Sequence, residues 1–346
     1  MTDQTTAQAA PRASLFREIR RYALFVLLAL LVVGFWHVQP AFIRSANLFS
    51  ILQAVSVVAI LGVGVSITMA ADGFDLSVGS IAASSVMAAS YAMVVWQLDA
   101  AETMVLVLLM GAFIGLANGL LIVRVGVPDL LATLATMFLL AGVQLIPTGG
   151  RSITAGMVLP DGSSAVGAYD PAFLVLGRSR LFDTIPLSVV VMAVVALLAW
   201  FLMERTRWGR VFYAIGGNET AAHLSGAPTK AYRLWAYVLS GTLASLGGLI
   251  VASRVGRGDV SAGNSLLLDA VAASLIGFAV LDKRRPHVIG TVVGAIFVGV
   301  LLNGLTMLNA PYYTQDFVKG VVLVGALALT FGLGKKRQLE QFRKSA

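Results

Sequence analysis

Apolar residues in this chain run in blocks; they neither alternate nor recur on one face of a helix. The blocks fall near 22–38, 51–71, 78–96, 103–123, 130–147, 185–203, 234–252, 266–281, 290–308 and 317–333, with short polar stretches between them. A helix that crosses a bilayer needs about 20 consecutive apolar residues, whereas a barrel strand shows about ten in alternation. The pattern therefore predicts an all-α integral membrane protein with about ten transmembrane helices. One transmembrane domain, 22–334, is flanked by polar tails at 1–21 and 335–346. Basic residues enter late in the N-terminal tail and no small-residue cleavage site follows the first apolar block, so that block reads as a retained helix.

Composition agrees with this reading. Hydrophobic residues make up 58% of the 346 positions and charged residues 12%, with a mean hydropathy of +0.86. A soluble domain carries about a quarter charged residues. The net charge of +8 then concerns orientation, because cytoplasmic loops collect Lys and Arg. With ten spans and both termini cytoplasmic, 18 of the 25 basic residues fall inside and 7 outside. No basic block is interleaved with aromatics, so nucleic acid is not an expected partner; membrane lipid is. The chain has no cysteine, which excludes disulfides and thiolate metal sites. His37, His223 and His287 lie far apart, and no metal site is expected.

Two segments repeat weakly. "GAFIGLANGLL" (111–121) resembles "GAIFVGVLLNGL" (294–305), and each places Asn-Gly inside an apolar block. The blocks are the fourth and ninth. An offset of five puts the copies in opposite orientations, so the reading is a 5+5 inverted repeat.

Motifs for covalent or nucleotide chemistry are missing. There is no G-x-x-x-x-G-K-[ST], G-x-S-x-G or H-E-x-x-H, so the chain is not expected to be an enzyme or to bind ATP itself. Polar groups inside apolar surroundings are the candidates for a solute path. "ADGFDLSVGS" (71–80) interrupts two blocks with two acids and a glycine. Its Asp75 suits the N-cap of the next helix, or direct contact with a solute. Asn118 and Asn303 suit either interhelical hydrogen bonds or a hydroxylated solute. With Phe74, Ser77 and Tyr91 these complete the path candidates; none is diagnostic of a particular solute.

Two loops stand out: 148–184 outside, with enough apolar residues for a short surface helix, and 204–233 inside. The inside loop holds "YAIGGNETAAHLSGAPTKAYR" (213–233). Gly216-Gly217 breaks the chain, Asn218 caps a short helix with Glu219 in its first turn, and Gly226 stops it before Pro228. A small, ordered helix on the cytoplasmic face suits docking to a soluble partner.

The segments "DGFDLSVGS", "GRVFYAIGGNETAAHLSG" and "NGLTMLNAPYYTQDFVKGVVLVGALAL" closely resemble the ribose-type permeases of sugar ATP-binding-cassette importers, a class shared with branched-chain amino acid permeases. The resemblance spans roughly 40–335. It implies the membrane subunit of an importer that moves a sugar or sugar-like solute across a bacterial inner membrane. ATP and Mg would be held by a separate ATPase subunit, with a periplasmic sugar-binding protein and a second permease copy or paralogue as further partners. It implies that the ATPase docks on Gly209, Arg210, Gly216, Gly217, Asn218, Glu219, Ala221, Ala222, Leu224, Ser225 and Gly226. One stretch departs from the pattern: "IGFAVLDKRRPHVIG" (276–290) stands where many ribose-type relatives are glycine-rich. The competing reading is an ion-coupled secondary transporter for a small polar solute. It would want an ionisable group in mid-membrane, whereas Asp72, Asp75, Asp129 and Asp269 fall at the ends of apolar blocks.

Overall fold

A computed structural model describes residues 10–263, 265–280, 285–311 and 313–325. The described residues are mostly helical. Helices α1 (Ala10–Val38), α2 (Ser45–Ala70), α3 (Val78–Val94), α4 (Ala100–Leu120), α5 (Asp129–Val143) and α6 (Pro171–Arg178) make up its first half. Helices α7 (Leu187–Arg205), α8 (Arg207–Gly217), α9 (Glu219–Leu224), α10 (Thr229–Val255), α11 (Leu266–Val280) and α12 (Val288–Met307) follow, and residues 313–325 are helical again. A π turn extends α4 to Val125. One two-residue strand pair, Arg180–Leu181 with Ile185–Pro186, is the only sheet among the described residues. Among the described residues, six helices are long and apolar enough to cross a membrane, and three more, Leu24–Val38, Val78–Val94 and Leu266–Phe278, are shorter apolar helices. The protein is a multi-pass, all-α membrane protein.

Local sequence sets the helix ends. Asp99 and Glu102 form a reciprocal capping box at the start of α4. Asp170 caps α6, with Pro171 at the first helical position, and this is the short surface helix expected in the long loop. Gly256, at φ +71°, ends α10 in the left-handed region that favours glycine.

The core is built on α2 and α10, which cross antiparallel: Gly64 lies against Ser240, and Gly247 against Leu61 and Val57. Around α10, α4 runs antiparallel through a stripe of Gly111, Gly115 and Gly119. A methyl group on Gly115 would sit 2.2 Å from the Tyr237 carbonyl oxygen. Small residues give such close backbone approach in lipid, where dispersion replaces the hydrophobic effect as the packing force. α3 runs parallel to α10, with Ala82 at Gly248 and Ser90 at Gly258. Around α2 the relations recur. α12 is antiparallel to it (Thr291 at Gly62, Asn303 at Asn47), and α11 is parallel (Ala270 at Gly62, Ser274 at Ser66). Each half thus lends its central helix to the other half's pair.

The α2–α3 connection is not a surface loop. From Ala71 the chain runs back in irregular form, and Asp75 reaches Ser240, near the midpoint of α10. α3 starts there, and its Gly79 lies against Leu267 in the first turn of α11. Two helix N-termini therefore meet inside the bundle. Irregular backbone at this depth is tolerated because protein surrounds it.

Candidate functional site

Four of the six path candidates come together at that break. Asp75 is fully buried; its Oδ1 accepts from the Ser77 backbone N–H (2.9 Å) and hydroxyl (2.6 Å), and its Oδ2 from the Ser240 hydroxyl (2.7 Å). Ser77 Oγ accepts from Asn118 Nδ2 (2.9 Å), whose Oδ1 accepts from Thr136 Oγ1 (2.6 Å). The Phe74 N–H donates to Asp129 Oδ2 (2.6 Å), and Thr133 Oγ1 donates to the Phe74 carbonyl (3.2 Å). One network thus joins the break to α4, α5 and α10. A buried carboxylate persists only when donors surround it, and here three do.

Two expectations need correction. Asp75 does not cap α3: Ser77 is the N-cap residue, and Asp75 closes the turn before it. Ends of apolar blocks are also not equivalent to the membrane surface, because the break carries Asp75 halfway along α10. Asp75 is therefore an ionisable group inside the bundle, the placement an ion-coupled transporter would want.

Tyr91 and Asn303 lie elsewhere. Asn303 Oδ1 accepts from Asn47 Nδ2 (3.1 Å), which ties the end of α12 to the start of α2. Tyr91 packs edge-on against Trp96 near the end of α3. Both aromatics line a cavity of about 520 Å³ between α3, α4 and α5, whose walls are apolar except at a few positions such as Ser84 and Gln144.

At the opposite end of α10, α8 and α9 form an angular platform. Gly209 is buried where α8 turns back on α7, and a methyl group there would lie 1.8 Å from the Met203 carbonyl oxygen. Thr206 caps α8, and Phe212 and Ile215 bury its inner face. Asn218 caps α9, accepting from the Ala221 N–H at 2.9 Å, and Gly226 has φ +87°. The expected short helix is present. The expected break falls at the end of the glycine pair: α8 includes both glycines and stops at Gly217, and extended Asn218 separates it from α9. Gly216 lies close to the Ala70 carbonyl, and only glycine leaves room there.

The outward face of this platform comprises Arg210, Gly216, Gly217, Asn218, Ala221, Leu224, Ser225 and Gly226, with Leu224 81% exposed. Ala222 points inward, and Glu219 pairs with Arg233 of α10 at 3.0 Å. Those two side chains anchor α9. Asp72 sits nearby on the α2 side; burial lifts its carboxyl above the ordinary value, and Arg233 opposes the lift. Lys283 and Arg284 of the basic loop lie outside the described residues, whereas Arg285 reaches Glu204 at 3.0 Å.

Ser240, Thr133 and Thr136 escape a reading of the sequence because hydroxyl residues in small-residue helices pass for packing. Asp129, at a block end, gives no sign that it reaches Phe74.

The family profile described as branched-chain amino acid transport system / permease component matches residues 47–327. The ribose import permease protein of Escherichia coli K12 is 35% identical, over 94% of this chain and 98% of that protein. The ribose import permease protein of Bacillus subtilis is also 35% identical, over 88% and 91%. The D-allose transport system permease protein of Escherichia coli K12 is 30% identical, over 89% and 91%. No solved structure matches the chain.

Proposed function

The chain belongs to this permease family, and on that premise we propose that it is the membrane subunit of an ATP-binding-cassette importer for a sugar or sugar-like solute. ATP and Mg are held by a separate ATPase subunit, and a periplasmic binding protein supplies the solute. A second copy or a paralogue completes the membrane part. The subunit sits in a bacterial inner membrane with about ten spans and both termini cytoplasmic. The exchanged, direction-reversed packing of α3, α4 and α10 against α11, α12 and α2 supports a 5+5 inverted repeat.

The observation that carries the reading is the α8–α9 platform. It is a capped, glycine-lined surface with an exposed leucine on a protein whose relatives are import permeases. On the proposed topology it faces the cytoplasm, where an ATPase is available, and an exposed apolar side chain of this size suits a docking contact. The network at Phe74, Asp75, Ser77 and Asn118 then holds the two halves around the solute path, with Tyr91 nearer its outer mouth. In the ion-coupled alternative Asp75 exchanges a proton or binds a cation; three donors already occupy its oxygens.

The test is purification of the tagged protein from native membranes in mild detergent, with mass spectrometry of what accompanies it. The expected result is co-purification of a Walker-motif ATPase and a periplasmic receptor. Reproducible absence of any ATPase after mild cross-linking contradicts the proposal.

A further inference from the structure

Four side chains from three separate elements converge beside the platform. Glu204 lies in the last turn of α7 and is largely buried. Its Oε2 accepts from Arg285 Nη2 at 3.0 Å, and its Oε1 from His287 Nε2 at 3.2 Å. The Tyr213 hydroxyl of α8 is a third donor, 3.4 Å from Oε1, and the Arg285 guanidinium lies 4.2 Å above the Tyr213 ring. Burial, reinforced by the Glu204 carboxylate, pushes the Tyr213 phenol up, so it stays protonated and able to donate. His287 is the N-cap of α12. Its Nδ1 accepts from the Gly290 N–H while Nε2 donates to Glu204.

The cluster leads into a stiff body. Val288, next to His287, shares one core with Phe212 of α8 and with Val63 and Ile67 of α2. One turn on, Thr291 Oγ1 lies 2.5 Å from Ser66 Oγ of α2, which lies 3.1 Å from Ser274 Oγ of α11. Gly277 approaches the Gly290 backbone so closely that a methyl group there would fall 2.4 Å from it. Helices α2, α11 and α12 are thus locked together, and the cluster binds their near end to α8. Directional, charge-assisted bonds hold both a helix end and a helix start, the places where elements pivot.

We propose that Glu204, Tyr213, Arg285 and His287 form the mechanical link that carries movement of α8 into α12 and the body around α2, with Glu204 as the positioning residue at its centre. The inference rests on the reading of α8–α9 as the ATPase-docking face.

The absence of native cysteine makes the test direct. Leu308→Cys places one thiol at the far end of α12, at a position that is 42% exposed. In the complex with its ATPase, the rate of maleimide labelling is measured with and without ATP and Mg²⁺. Nucleotide is expected to change the rate about fivefold or more, the low end for coupling between sites. Adding Glu204→Gln or Arg285→Ala is expected to abolish that change while ATPase recovery and basal hydrolysis stay within about twofold. Tyr213→Phe keeps the ring under Arg285 and should retain most of the response; Tyr213→Leu should lose it. A full nucleotide response in Glu204→Gln and Arg285→Ala overturns the inference, as does no response in the parent. Loss of ATPase recovery in the variants also overturns it, because the cluster then serves assembly. If the parent itself recovers no ATPase, the docking reading fails with it, and the two failures are distinguishable.

Discussion

Asp75 shows how far single residues were legible. A carboxylate amid apolar blocks announces itself, and so does Asn118, because either is costly in a membrane unless paired. Their partners do not. Ser240 lies 165 positions from Asp75 in a small-residue helix where serine passes for packing. Glu219 was legible as a helix-start acid, yet its place is decided by Arg233, 14 positions on, which turns it from the platform face into an anchor. The network makes a prediction at this scale. Ser240→Ala removes the sole donor to Asp75 Oδ2 among the described contacts and should lower stability by about 1–3 kcal/mol, the cost of an unsatisfied buried polar group. Ser85→Ala is the control. Among the described residues that hydroxyl bonds only to its own helix at Ile81, and its loss should cost clearly less. Thermal unfolding in detergent separates the two, and equal losses would contradict the network.

At the scale of elements, segments with strong local signals were the readable ones. α9 was legible because Asn218 and Gly226 punctuate it, and α6 because a few apolar residues stand out in the loop 148–184. α8 was hidden because it lies within a stretch that reads as a polar loop. The paired glycines do mark where it ends, and Gly216 has a second role, a close approach to Ala70 that only glycine permits. The irregular return at 71–77 was also hidden. Its apolar flanks read as two complete spans, and only packing shows that α3 starts halfway along α10. The repeated Asn-Gly pairs have separate surroundings: Asn118 sits at the break and Asn303 at Asn47. Cysteines at 47 and 303 should therefore cross-link readily under mild oxidation or with a short bis-thiol reagent, whereas cysteines at 118 and 303 should not. Efficient cross-linking of the second pair would contradict the register of α4 and α12.

At the scale of the whole molecule, hydropathy established the class, and charge bias gave an orientation that the fold is compatible with. Neither shows how the halves interlock. That depends on small residues meeting across more than a hundred positions, as Gly62 meets Thr291. The central claim is that the α8–α9 platform receives an ATPase. It is tested most directly by placing a photo-cross-linker at Leu224, an exposed apolar side chain of α9, and illuminating native membranes. The account predicts one major adduct, with an ATP-hydrolysing subunit, and no such adduct from a cross-linker at Leu308, at the far end of α12. An ATPase adduct at Leu308 and none at Leu224 would contradict it.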